Sequence, residues 1–144
     1  MKTVLIGSEN KYMQSGFKSY DAGMPWEKIY GFTQTIQAGA TLYISGQVSV
    51  DAQGNFIGEE DIELQVRTTF ANLDRILAFY KIGRERIVQT TVYAKNLRRN
   101  FDDIARLHSE YFGEHRPTST CLEVAELALP EQLIEIAAIA VIAQ

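Results

Sequence analysis

The 144-residue sequence is short of the features that mark several specialised classes of protein. It has one cysteine, Cys121, which excludes an internal disulfide and a multi-cysteine zinc site. Its net charge is −4, and its longest basic run is Arg98-Arg99. A nucleic-acid-binding surface normally shows as a basic excess, so we expect no nucleic-acid partner.

Long apolar runs are also missing. No run reaches the roughly 20 residues of a membrane-spanning helix, and the apolar run at residues 3–6 is too short for a signal peptide. We therefore expect a cytoplasmic protein with no membrane partner. Apolar residues make up 46% of the chain and charged residues 22%, which is ordinary for a globular protein. Its length fits a single domain over residues 1–144.

The C-terminal quarter carries two apolar runs, residues 116–124 and 133–141, separated by the breaker segment 128–132. The second run has one charged residue, Glu135, and is typical of a strand buried on both faces. A buried carboxylate must find partners or shift its pKa, because an isolated buried charge costs several kcal/mol.

Alternating and β-branched residues predict further strands. Residues 7–29 are polar and rich in glycine, and we interpret them as an extended, irregular N-terminal segment held by its aromatic residues. The predicted strands are residues 3–6 (an edge strand), 32–37, 41–50 and 87–94, with turns at 38–40 and 51–55 and a brief extension at 56–57.

Two segments have helical periodicity. Residues 59–80 place apolar side chains three or four apart, and Gly83 is predicted to end this helix. A second helix is predicted over residues 101–112, with Asn100 as its N-cap and Gly113 as its stop. Its predicted inward side chains are Phe101, Ile104, Leu107 and Tyr111.

The element order is β-β-β-α-β-α-β-β, which predicts an α+β fold with one sheet and two helices on one face. The last strand is apolar on both faces, but the helices cover only one. We therefore expect another copy of the chain to cover the second face.

Five segments resemble, in the same order, segments of the Rid/YjgF family of enamine and imine deaminases. They are residues 44–48 (ISGQV), 90–93 (TTVY), 111–117 (YFGEHRP), 121–124 (CLEV) and 134–141 (IEIAAIAV). Older names for this family include endoribonuclease L-PSP and translation inhibitor. The resemblance runs from about Tyr30 to the C-terminus. It implies a chorismate-mutase-like fold and a homotrimer with clefts between subunits.

The resemblance also implies a chemistry. Deaminases of this family hydrolyse short enamines and imines, such as 2-aminoacrylate, to 2-keto acids and ammonia, with no metal and no cofactor. An arginine clamps the substrate carboxylate, a Ser-Gly turn lines the pocket, and a glutamate handles the attacking water. In this sequence the Ser-Gly pair is Ser45-Gly46, and the pocket cysteine is Cys121.

Three positions depart from the family pattern. Ser119 stands where the clamp arginine is expected, Ala137 where the glutamate is expected, and Phe32 where a pocket tyrosine is expected. Losing the clamp removes hydrogen bonds worth about 1.5–3 kcal/mol each. Losing the acid removes general-base assistance of about 10²–10⁴-fold. We therefore expect this chain not to catalyse ordinary 2-aminoacrylate deamination.

The remaining candidates each have two interpretations. Ser119, Cys121 and Glu123 share a strand face, which is either a ligand pocket or a seam between subunits. The sequence shows no neighbouring histidine that would activate Cys121 as a nucleophile. Glu135, about 6.5 Å along the strand from Ala137, either replaces the missing acid or has a structural partner.

Residues near the end of the second helix are similarly ambiguous. Arg116 is either a replacement clamp or a cation on a surface loop. His108 and His115 lack the spacing of metal ligands, so we expect surface or cap roles and no metal. Trp26, in a Pro-Trp-Glu motif similar to one in some family branches, either lies over the cleft or at the trimer edge.

Three functions follow from the sequence. The first is a divergent deaminase or other hydrolase acting on a small imine, enamine or related metabolite. The second is a trimer that binds a small metabolite without turning it over. The third and weakest is an RNA-cleaving or translation-inhibiting protein, which the acidic composition disfavours.

Overall fold

The computed structural model describes residues 8–9 and 16–142, and the predicted edge strand at residues 3–6 lies outside them. In the described part, no helix is long and apolar enough to cross a membrane. The strands are β1 (Ser8–Glu9), β2 (Lys18–Asp21), β3 (Thr35–Ala38), β4 (Thr41–Gln47), β5 (Ile87–Ala94), β6 (Thr118–Glu123) and β7 (Ile134–Val141). The helices are α1 (Pro25–Tyr30), α2 (Ile62–Phe79) and α3 (Leu97–Phe112).

All seven strands form one sheet in the order β1-β2-β3-β4-β7-β5-β6. Neighbouring strands are antiparallel except β5 and β6, which are parallel and connected through α3. Buried apolar residues of α2 and α3 pack with alternate residues of β4, β5 and β7 in a single core. The predicted α+β fold, with the two long helices on one face of one sheet, is confirmed.

The α2 helix begins at Ile62, three residues later than the predicted start at residue 59, with Asp61 as its N-cap. The Asp61 side chain accepts a hydrogen bond from the Leu64 backbone N–H at 3.0 Å, and this satisfies one of the free donors of the first turn. The five turns of the helix bury a stripe of apolar side chains. The helix ends at Phe79, and Lys81 adopts the left-handed conformation (φ 56°), so Gly83 is not the terminator.

The α3 helix starts four residues earlier than predicted, at Leu97. Asn100 is not its N-cap, because its buried side chain donates to the Lys95 carbonyl oxygen at 3.2 Å. The Leu97 N–H instead donates to Glu123 Oε1 of β6 at 2.9 Å. Phe101, predicted to face inward, is 47% exposed. Gly113 ends the helix as predicted.

The described part of the N-terminal segment is more regular than predicted. β2 pairs with β3, with Ser19 opposite Ile36, and α1 follows after a short turn. The buried carboxylate of Glu27 accepts hydrogen bonds from the N–H groups of Met24 (2.9 Å) and Ala22 (3.1 Å) at the start of α1. Pairing with a distant strand therefore orders this polar segment.

The β7 strand alternates strictly within the single chain. Even-numbered residues from Ile134 to Ala140 are buried, whereas odd-numbered residues from Glu135 to Val141 are only partly buried. Within one chain only the helix-facing side is buried, and burial of the second face by another copy stays a prediction. The second face is a partly exposed surface with three apolar residues, Ala137, Ile139 and Val141.

Candidate functional site

A β-bulge in β4 builds the first half of the candidate site. Three steps along β4, from Ile44 to Gln47, match two steps along β7, so β4 carries one extra residue at Ser45-Gly46. The Glu135 side chain lies directly against Gly46, because a Cβ atom there would lie 1.9 Å from Glu135 Oε1. The bulge thus brings Ser45, Gly46 and Glu135 together.

These three residues and Phe32 line a cavity of about 710 Å³, which we call the β4 cavity. Trp26 of α1 lines the same cavity, as expected if it lies at the cleft. The volume lies within the range of small-molecule sites. Four of the predicted site residues are therefore collected in one place.

Glu135 is a carboxyl group of this cavity whose pKa is raised. Burial raises the pKa of the Glu135 carboxyl above its ordinary value, and a hydrogen bond from Gln132 Nε2 at 3.4 Å opposes the rise only in part. The carboxyl therefore holds a proton to higher pH than a glutamate in water. Such a group can donate and accept protons nearer to neutral pH.

Ser45 has a different capacity. Its hydroxyl donates to the Thr33 carbonyl oxygen at 2.7 Å, and its N–H donates to the Gln34 carbonyl oxygen at 2.8 Å. The Ser45 oxygen is therefore left as a hydrogen-bond acceptor in the cavity. Nearby, Gln47 Nε2 donates to Gln34 Oε1 at 2.8 Å and holds the base of the bulge in place.

The second half of the candidate site lies between α3 and β6. Arg116, Ser119 and Cys121 line a cavity of about 360 Å³, which we call the β6 cavity. The strand register places Ser119 beside Thr90 and Cys121 beside Val92 on the helix-facing side of the sheet. The predicted shared face of Ser119 and Cys121 is confirmed.

His108 of α3 also lines the β6 cavity, although the sequence predicted a surface or cap role for it. Its Nε2 atom lies 2.9 Å from Thr90 Oγ1, and Thr90 Oγ1 donates to Ser119 Oγ at 2.8 Å. Burial lowers the pKa of the His108 imidazole. The sequence does contain a signal for this position. His108 follows Leu107 and lies four residues after Ile104, so it shares the inward face of the helix.

The other polar groups of this cavity are less suited to catalysis. Burial raises the pKa of the Cys121 thiol, which favours the less reactive protonated form. His115 Nε2 lies 2.6 Å from the Ile87 carbonyl oxygen. Arg116 is exposed and forms no hydrogen bond or ion pair with the rest of residues 16–142.

Within residues 8–9 and 16–142, no group of three His, Cys, Asp or Glu side chains could hold a metal ion. The two cavities also remain apart within one chain. β7 and β5 lie between β4 and β6, which corresponds to about 14 Å at the usual strand spacing. One chain therefore does not unite all the predicted site residues.

Comparison with known proteins identifies the family. The profile described as Endoribonuclease L-PSP matches residues 25–142. A RutC family protein of Pyrococcus horikoshii is 35% identical over 109 residues, which are 76% of this chain and 85% of the relative. A protein of Salmonella typhimurium named 2-iminobutanoate/2-iminopropanoate deaminase is 35% identical over 116 residues, covering 76% and 86% of the two chains.

A solved structure supports the same fold. It is a Mycobacterium tuberculosis member of the YjgF/YER057c/UK114 family, with a TM-score of 0.74 and 23% identity, and the match covers 84% of this chain and 95% of that one. The seven-stranded sheet with two long helices, the matched profile and the sequence relatives together show that this chain belongs to the Rid/YjgF family, whose profile carries the name endoribonuclease L-PSP.

Proposed function

We propose that this chain hydrolyses a small imine or enamine, without a cofactor, in a cleft between the subunits of a homotrimer. The observation that carries the proposal is the division of the expected site residues between the β4 cavity and the β6 cavity. In an oligomer, the β4 cavity of one subunit can lie beside the β6 cavity of the next. The partly exposed apolar face of β7 offers a surface on which the neighbouring subunit can pack. A relative named as an imine deaminase supports the chemistry.

In the proposed reaction, Glu135 carries the proton. Its protonated carboxyl gives a proton to the imine nitrogen, and the resulting carboxylate accepts a proton from the attacking water as the C–O bond forms. Glu135 then returns the proton to the amine nitrogen of the tetrahedral intermediate, the C–N bond breaks as ammonia leaves, and the carboxylate takes the hydroxyl proton as the carbonyl group forms. The raised pKa of Glu135 suits it to both steps.

The proposed substrate is not 2-aminoacrylate. Ser119 offers a single hydroxyl where a guanidinium would hold a carboxylate with two hydrogen bonds, and Ala137 offers no acid. Arg116 has a guanidinium free of partners in the described chain, but it lies exposed on the rim of the β6 cavity. We therefore propose a substrate whose binding depends little on a carboxylate clamp.

The test is a hydrolysis assay with uncharged imines generated in the reaction mixture from small amines by a flavin amine oxidase, with ammonia release as the readout. We expect the protein to accelerate release, and Glu135→Gln to remove about 10²–10⁴-fold of that acceleration. Glu126→Gln is the matched control, because the Glu126 side chain is 78% exposed and forms an ion pair with Lys95 on the protein surface. Equal rates for wild type and Glu135→Gln would refute the role of Glu135.

The trimer has its own test. Multi-angle light scattering at micromolar concentration should give three times the chain mass of 16.2 kDa. A monomer would contradict both the trimer and the cleft between subunits.

A second function, metabolite binding without turnover, is favoured by the walls of the β4 cavity. Tyr20, Trp26 and Phe32 supply large aromatic surfaces, and the Ser45 hydroxyl is already donated to the backbone. Saturable binding of a ligand with no acceleration of ammonia release from any imine would support this alternative.

A further inference from the structure

Three side chains from three elements form a hydrogen-bonded chain that ends in the β6 cavity. Thr90 has one hydroxyl proton, and it donates that proton to Ser119 Oγ at 2.8 Å. The 2.9 Å contact between His108 Nε2 and Thr90 Oγ1 must therefore have the imidazole as its donor. The direction is thus set from His108 through Thr90 to Ser119.

This direction leaves one group available to a ligand. Ser119 receives the hydrogen bond from Thr90 on its oxygen, so its own O–H proton is left for an acceptor in the cavity. Chained hydrogen bonds polarise one another, which makes the last donor stronger than an isolated hydroxyl. Thr90 is fully buried, whereas Ser119 is exposed, so the chain leads from the protein interior into the cavity.

The buried groups around this donor are uncharged, and the one charged side chain that lines the described cavity, Arg116, lies exposed on its rim. Burial lowers the pKa of His108 and raises that of Cys121, so both are neutral near pH 7. The remaining polar side chains that line the cavity are Ser109, His115, held against the Ile87 carbonyl oxygen, and the exposed Arg116. Apolar side chains form most of the wall, namely Val92, Phe101, Ile104 and Phe112.

We propose that the β6 cavity is a subsite for an uncharged hydrogen-bond acceptor, a carbonyl or carboxamide oxygen, which binds the Ser119 hydroxyl. A carboxylate here would lose its water shell for one neutral donor, which is unfavourable in an apolar cavity. A carboxamide has no net charge and loses far less on transfer, and its oxygen can accept the Ser119 hydrogen bond. The volume of about 360 Å³ accommodates a small metabolite.

As a statement about substrates, this inference rests on the proposed function; as a statement about binding, it stands without turnover. The experiment compares 2-oxobutanamide with 2-oxobutanoate, which share a skeleton and differ in charge at one group. Binding of each is measured by NMR titration of the ¹⁵N-labelled protein, with the amides of Ser119 and Cys121 as reporters. We expect the amide to bind at least tenfold more tightly than the acid.

Variants test the hydrogen-bonded chain. Ser119→Ala should weaken amide binding about fivefold, the effect of one neutral hydrogen bond. His108→Phe should weaken it in the same direction, and His108→Gln, which keeps an N–H donor, should restore it. Thr120→Ala is the matched control, because Thr120 lies on the opposite face of β6, and it should leave binding unchanged.

The outcomes separate the two proposals. Tighter binding of 2-oxobutanoate that is lost in Arg116→Ala overturns the subsite, as does amide binding unaffected by Ser119→Ala or no binding of either compound. Amide binding with no imine hydrolysis overturns the proposed function but leaves the subsite standing. Imine hydrolysis combined with tighter binding of 2-oxobutanoate overturns the subsite but leaves the proposed function standing.

Discussion

The contact between Gly46 and Glu135 makes Gly46→Ala a sharp test of the β4 cavity. The methyl group of an alanine would lie 1.9 Å from Glu135 Oε1, whereas ordinary contacts begin at 3.4 Å. The carboxylate oxygen must therefore move by about 1.5 Å, and the Cδ and Cγ atoms, at 2.6 and 2.7 Å, must move with it. Gly46 does not have a positive φ, so the backbone itself accommodates alanine.

The size of the displacement sets the expected effects. Misplacing a catalytic group by about 1 Å costs about 10²-fold in rate, so imine hydrolysis should fall by at least that factor. A carboxyl pushed from its buried position should also regain contact with water, and its pKa should fall towards the ordinary glutamate value.

The assay is a ¹³C NMR titration of the side-chain carboxyls, with the Glu135 resonance assigned by its loss in Glu135→Gln. We expect a raised pKa for Glu135 in the parent protein and a lower one in Gly46→Ala. Gly39→Ala is the control, because no atom lies within 4 Å of its added methyl group and its strain is confined to a hairpin turn. An unchanged Glu135 pKa in a folded Gly46→Ala protein would refute the packing argument.

Three further predictions concern stability. Phe70→Ala should cost about 3–5 kcal/mol in denaturant unfolding, because Phe70 is buried and stacks on Tyr111 at 4.0 Å, whereas Phe101→Ala, at 47% exposure, should cost much less. Because the folded-state pKa of His108 is below its unfolded value of 6.5, the protein should lose stability as pH falls through that range, and His108→Gln should lose less. The folded-state pKa of Glu135 is above 4.5, so the stability that its protonated form provides should be lost as pH rises through the folded-state pKa. The free energy of unfolding of Glu135→Gln minus that of wild type should therefore be larger at pH 7 than at pH 4.

Strands whose own composition determines them were predictable. The predicted strand 87–94 has the observed bounds of β5, and the predicted 133–141 differs from β7 by one residue. Both are rich in β-branched residues and preceded by polar residues. The periodicity of α2 was equally readable, because apolar residues recur there at helical spacing over five turns.

Elements that depend on distant partners were not predictable. The start of α3 is determined by Glu123, which lies 26 residues after Leu97 in the chain. β2 obtains its order from pairing with β3, so its polar sequence gives no local signal. Sequence patterns within each segment therefore predicted the N-cap of α3 at Asn100 and an irregular segment at residues 7–29.

The candidate site shows the same division. The resemblance to a family supplied Ser45, Gly46 and Phe32, and the structure places all three with Glu135 in one cavity. It could not supply His108, because its role depends on the parallel register that sets Ser119 beside Thr90. A contact made across three elements leaves no pattern in any one of them.

The extra residue in β4 has a consequence for how related sequences should be aligned. Before the bulge, Leu42 and Ile44 turn to the helices; after it, Gln47 does, so the parity of the strand has changed. Deleting either Ser45 or Gly46 would restore regular alternation and leave Gln47 opposite Ile136, but it would remove the bulge that sets Gly46 against Glu135. The β4 cavity thus depends on the number of residues at this point. A one-residue gap here in an alignment of two family members indicates a different pocket, even where the flanking residues are identical.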